Sequence, residues 1–152
     1  MRKTIIAGNW KMNKDPKEAQ ELSMKIKESY THSNNVEAIL CPSAVCLDKV
    51  GEIVAGTEIK LGAQNMYYEN SGAFTGENSP LMIKAVGCTH VILGHSERRE
   101  YFKESDALIN KKVLSAFQNN LIPIICVGET LEQREAGTAF DVVGKQLQGC
   151  LE

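Results

Sequence analysis

Val91-Ile92-Leu93-Gly94-His95-Ser96-Glu97 sets a short apolar run directly against a glycine and a cluster of polar, ionisable side chains. The run is too short for a helix. It is also too continuous for a strand with one wet face, so it suits a parallel strand buried on both sides. Similar runs occur at Ile5-Ile6-Ala7, Ala38-Ile39-Leu40, Leu61-Gly62-Ala63 and Ile124-Ile125-Cys126-Val127.

Helical spacing fills the stretches between these runs. Ala19, Leu22 and Ile26 share one face of a segment opening at Pro16, and Ser43 is placed to cap a helix bearing Leu47, Val50 and Val54. Ser79-Pro80 has the form of an N-cap followed by an N1 proline, with Gly87 positioned to end that short helix. Ile109, Val113 and Phe117 form a further stripe, and a last helix after Thr138 is expected to bury Phe140, Val143, Leu147 and Leu151. Strand and helix therefore alternate through five units, which implies right-handed crossovers and a parallel sheet covered by helices. A doubly wound open sheet of five strands fits this pattern. So does part of a (βα)8 barrel, which needs about 250 residues and would lack roughly three units here.

In either architecture ligands sit beyond the C-terminal ends of the strands. The residues just past the apolar runs are Asn9 and Lys11, Cys41-Pro42, Gln64-Asn65, His95-Ser96-Glu97 and Glu129, several of them hydrogen-bonding or ionisable. Lys11 follows the first strand closely enough for its ammonium to reach over the mouth of the sheet. His95 falls where a helical turn begins, at the positive end of its dipole, where a neutral imidazole is able to donate to a carbonyl oxygen. The connection from Met66 to Asn78 far exceeds the usual βα loop of about 2–6 residues. Its Tyr67, Tyr68 and Phe74 would be costly to leave in water, so it is expected to dock against a partner.

Composition narrows the function classes. With 152 residues, a net charge of -2 and 43% hydrophobic residues, the chain is an ordinary globular domain with no electrostatic case for nucleic-acid binding. The apolar stretch from Thr4 to Ala7 is cut short by Gly8-Asn9-Trp10-Lys11, too early for a secretory signal, and no later run has the length of a membrane span. The cysteines, Cys41, Cys46, Cys88, Cys126 and Cys150, are odd in number and lack metal-ligand spacing, so reduced, mostly buried thiols in a cytoplasmic protein are expected.

Gly8-Asn9-Trp10-Lys11-Met12-Asn13 and Gly94-His95-Ser96-Glu97-Arg98-Arg99 together resemble the triosephosphate isomerase family. Gly62-Ala63-Gln64-Asn65, Gly72-Ala73-Phe74-Thr75-Gly76-Glu77 and Cys126-Val127-Gly128-Glu129 are similar to further family strings, in the same order and at the same spacing. The resemblance favours the barrel, here an incomplete TIM barrel of about five parallel strands with outer helices. It implies interconversion of the triose phosphates glyceraldehyde 3-phosphate and dihydroxyacetone phosphate through an enediolate. That chemistry needs a carboxylate base, an electrophile at the carbonyl, and a cation near the developing oxyanion and the phosphate. By the resemblance His95 is the electrophile, Lys11 the cation, and Asn9 a substrate contact, with Glu97 and Cys126 supporting the site. A neutral catalytic histidine is an established feature of that family rather than a deduction from these residues. The long loop, with Thr75 near its tip, matches the one that reaches into the neighbouring subunit of the family's homodimer. No metal or organic cofactor is implied. The family's catalytic glutamate, closing lid and glycine-rich phosphate loops follow the fifth unit, and this sequence ends at Glu152 before them. The expectation is one partial barrel domain over residues 1–152, nearly inactive by itself, or else a non-catalytic fragment that self-associates or pairs with a separate C-terminal part.

Overall fold

Five strands, β1 (Thr4–Asn9), β2 (Val36–Cys41), β3 (Lys60–Ala63), β4 (Cys88–Leu93) and β5 (Ile122–Ile125), lie side by side in chain order, and every pair is parallel. The computed structural model describes residues 3–152. A doubly wound sheet reverses its strand order at a switch point. Here the order never reverses, so right-handed crossovers carry the helices to one side of the sheet, which is the barrel arrangement. The helices are α1 (Pro16–Ser29), α2 (Leu47–Val54), α3 (Pro80–Ala85), α4 (Ser96–Tyr101), α5 (Asp106–Gln118), α6 (Leu131–Glu135) and α7 (Ala139–Leu151). None of those described is long and apolar enough to cross a membrane.

The alternation along each strand divides the core into two layers. Leu40, Leu61, Ala63, Val91 and Leu93 meet Leu47, Val50 and Val54 of α2, Ile83 of α3, and Ile109, Val113 and Ala116 of α5. On the opposite, concave face Ile39, Cys41 and Ile92 pack with Ile124 and Cys126. All five cysteines are unpaired.

Local chemistry sets the helix starts. Asp15 and Glu18 close a reciprocal capping box around Pro16, and the Ser79 side chain accepts from the Met82 amide ahead of α3. Gly87, at φ 92°, ends the α3 segment in the left-handed region. Ser43 differs from expectation. It precedes a 3-10 turn over Ala44–Cys46 and makes no capping bond, its hydroxyl turning instead to the Cys46 thiol.

Four expectations are corrected by packing. β1 is not buried on both sides, since Ile5 and Ile6 are 49% and 62% exposed. In α5, Phe117 is exposed, because eight residues from Ile109 turn it about 80° off the buried line that runs through Lys112, Val113 and Ala116. In α7, Phe140 is 92% exposed and Leu147 and Leu151 are also exposed. Its buried residue is Cys150, where the helix lies against α5 and Gly149 comes close to Asp106. The fifth strand ends at Ile125 rather than Val127. Cys126 still donates to Leu93 O at 2.9 Å, but Gly128 is drawn off the ladder by paired bonds to the Gln146 amide of α7 at 2.8 and 3.1 Å.

Candidate active site

β1 and β4 deliver the polar residues to the same end of the sheet. Beyond β1 the Asn9 side chain accepts from the Lys11 amide at 3.0 Å, and Lys11 takes a left-handed backbone, φ 54°, that side chains with a Cβ seldom adopt. Gln64, just past β3, holds that conformation in place. Its side-chain amide donates to Lys11 O and to Cys41 O, both at 2.9 Å, which locks the β1 loop to the end of β2.

Beyond β4, Gly94 turns the chain at φ 73°, and His95 becomes the N-cap residue of α4. His95 Nδ1 accepts the Glu97 amide at 3.2 Å. Glu97 Oε2 lies 3.5 Å from the same nitrogen, too far for a strong bond, and the carboxylate is already engaged by Lys11. In a neutral imidazole the backbone donor favours the tautomer in which Nδ1 accepts and Nε2 carries the proton. Lys11 Nζ reaches Glu97 Oε1 at 2.7 Å. This contact, reinforced by the charge of Lys11, holds the Glu97 carboxyl below its ordinary value of 4.5 against a smaller opposing effect of desolvation.

Asn9, Lys11, Gln64, Asn65, His95 and Glu97 line a cavity of about 230 Å³. A second cavity of about 340 Å³ lies between the ends of β4 and β5, bounded by His95, Arg99, Cys126 and Glu129. Cys126 is half-buried on the concave face, and burial pushes its thiol up against the opposing pull of Arg99. Thr75 sits apart from both cavities, exposed in the turn between Gly72 and Gly76. The loop aromatics pack on each other, Tyr67 lying 4.3 Å from Tyr68 and 4.5 Å from Phe74 between ring centres, and Phe74 stays 40% exposed. Among the described residues no His, Cys, Asp and Glu side chains are grouped to hold a metal ion.

Behind the first cavity lies a buried ionic network. Glu104 Oε1 accepts from Arg98 Nε and Lys112 Nζ, each at 2.6 Å, and Lys112 also donates to Asn65 Oδ1 at 2.9 Å. Burial opposes the Glu104 charge, but the two cations outweigh it and hold the carboxyl below its ordinary value. Gln64 was among the polar residues expected at the strand ends, whereas the organising parts of Arg99, Glu104 and Lys112 were missed in the sequence. One signal was legible: Lys112 falls on the apolar stripe of α5, three residues after Ile109.

A sequentially ordered parallel βα sheet with cationic, amide and imidazole groups at its C-terminal mouth defines the barrel class. The family model for triosephosphate isomerase matches residues 4–152. The triosephosphate isomerase of Alkaliphilus oremlandii is 54% identical over all of this chain and 61% of its own length. That of Clostridium tetani is 53% identical over 97% of this chain and 58% of its own. The crystal structure of triosephosphate isomerase from Bartonella henselae superposes with a TM-score of 0.90 at 41% identity, covering 99% of this chain and 62% of that one. The chain belongs to the triosephosphate isomerase family. It spans about three-fifths of the length of the relatives it matches.

Proposed function

We propose that this chain supplies the electrophilic and cationic side of an isomerase site that interconverts glyceraldehyde 3-phosphate and dihydroxyacetone phosphate through an enediolate in the cytoplasm. The observation that carries this reading is the convergence of Asn9, Lys11 and His95 on one cavity in a chain of this family. With Nδ1 occupied by the Glu97 amide, the His95 Nε2–H is the neutral donor available to a carbonyl oxygen. Lys11 supplies positive charge for the oxyanion and the phosphate, and Asn9 a hydrogen bond to substrate. Glu97 is tied to Lys11 and serves as a support rather than as the carbon base.

The proton shuttle between carbons requires a further carboxylate, and among the described residues Glu97 is the carboxylate that lines this cavity. Absence of a general base lowers turnover by about 10²–10⁴-fold. A coupled assay on the 152-residue chain is expected to show turnover far below that of a complete family member, and turnover at the full rate would refute this division of labour. Titration calorimetry with dihydroxyacetone phosphate is expected to show binding that Lys11→Met weakens about tenfold, the effect of one charge-assisted contact. Unchanged affinity would remove Lys11 from the site.

The family resemblance further supports a homodimer in which the loop of residues 66–78 reaches the neighbouring subunit near Thr75; sedimentation of the chain at micromolar concentration tests it. A second reading has its own support. β1 and β5 each pair on one side only, and Ile5, Ile6 and Phe140 are exposed, so the chain would associate with itself or with a separate C-terminal part. A monodisperse monomer with cooperative unfolding counts against that reading.

A further inference from the structure

Arg99 makes more ties between different elements than any residue the isomerase reading uses, and no catalytic part has been given to it. Its Nε donates to Gly94 O at 2.7 Å, the carbonyl of the peptide that leads into His95. Its Nη1 meets Asp106 Oδ1 at 2.5 Å at the start of α5. Its Nη2 donates to Cys126 O at 3.3 Å beyond β5 and to Cys150 Sγ of α7 at 3.4 Å. One planar fork thus spans the ends of β4 and β5 and anchors on two helices, geometry that an ammonium cannot reproduce.

The fit around the Gly94 turn is tight. A Cβ on Gly94 would lie 3.1 Å from Arg99 Nη2, 3.1 Å from Ile109 Cδ1 and 3.2 Å from Cys126 O, and the turn itself needs φ 73°. The Gly94–His95 peptide plane is therefore held from below by the guanidinium. That peptide carries the His95 Cα, and from it His95, at φ −53° and ψ 142°, brings Nδ1 to the Glu97 amide.

We propose that Arg99 is a positioning residue that, through the Gly94 carbonyl, fixes the orientation and tautomer of His95 and, through the Cys126 carbonyl, sets the width of the crevice between β4 and β5. The role in catalysis rests on the isomerase reading; the effect on the imidazole does not.

The test is nitrogen NMR of the 152-residue chain labelled at its three histidines, with His95 assigned by its loss in His95→Gln. The unsubstituted chain is expected to show His95 as the Nε2-protonated tautomer. In Arg99→Lys the ratio of that tautomer to the other is expected to fall about fivefold, the change that follows from weakening one neutral hydrogen bond. His32 and His90 are expected to keep their signals. A purely structural arginine would lower the unfolding midpoint and leave the His95 tautomer as it was. A folded Arg99→Lys chain with unaltered His95 signals would overturn the proposal. Should Arg99→Lys fail to fold, Asp106→Asn decides, since it keeps both carbonyl contacts but loosens the anchor. It is expected to move the ratio in the same direction by less, and no movement would overturn the proposal. Adding dihydroxyacetone phosphate to the unsubstituted chain separates the two readings: no perturbation of His95 would refute the isomerase reading while leaving the Arg99 result standing.

Discussion

Replacing Lys112 by methionine removes one of two cations from a buried carboxylate while nearly preserving the stem that packs in α5. Lys112 is 2% and Glu104 6% exposed, and Glu104 Oε2 has no hydrogen-bond partner even in the intact network. Breaking a buried pair by deleting one partner costs about 3–5 kcal/mol, because the remaining charge keeps its desolvation penalty. Arg98 still donates to Glu104 Oε1 at 2.6 Å, so the low end applies and the expected loss is about 3 kcal/mol. In urea-induced unfolding, with a slope of about 1.5 kcal/mol/M, this moves the midpoint down by roughly 2 M at unchanged slope. Adding Glu104→Leu to the same chain should restore at least half of the loss, since an apolar pair of similar volume leaves no buried anion behind. Arg98 then turns outward over Phe102, whose ring it already faces at 4.6 Å. A Lys112→Met loss below about 1 kcal/mol, or a double variant no better than the single, would refute the view that a desolvated carboxylate dominates here.

Gly51→Ala should destabilise by about 2 kcal/mol or more, although alanine ordinarily gains up to about 1 kcal/mol over glycine within a helix. A Cβ there would collide with the Val86 carbonyl and come within 3.3 Å of Leu61 Cδ2; a rise in the thermal midpoint would contradict this. His90 is buried on β4, which pulls its pKa below the ordinary 6.5, although Glu37 at 3.2 Å opposes the shift and Lys60 and Lys3 add to it. The unfolded chain therefore takes up a proton first, and the stability from neutral His90 is complete above about pH 6.5 and declines as pH falls below it. His90→Gln should flatten the fall in stability between about pH 6.5 and 5, and an unchanged slope would rule this out. Ser79→Ala, which deletes the cap of α3, should cost about 1 kcal/mol in denaturant titration, with the loss smaller for glycine at the same place.

The short runs ending at Asn9 and at Gly94-His95, the helix starts at Pro16 and Ser79-Pro80, and the gathering of polar groups past the strands follow from local chemistry and were legible in the sequence. Period, caps and glycine turns act within a few residues, so one segment suffices to reveal them. The strings around Asn9, Lys11 and His95 likewise carry the resemblance to the family in the sequence itself. Periodicity left barrel and open sheet both possible and the resemblance favoured the barrel, but the order of the five strands itself depended on pairings between segments tens of residues apart. The same holds for the side of a helix that is buried. α5 and α7 each carry more apolar residues than their neighbours cover, and only the placement of those neighbours left Phe117 and Phe140 in solvent while Cys150 was enclosed. Lys112 and Glu104, read alone, are ordinary charged residues. Their pairing with Arg98 and Asn65, the Gln64 lock on Lys11 and the Arg99 fork beneath Gly94 were decided by tertiary structure, because a charge or an amide becomes an organising group only where distant segments exclude water around it.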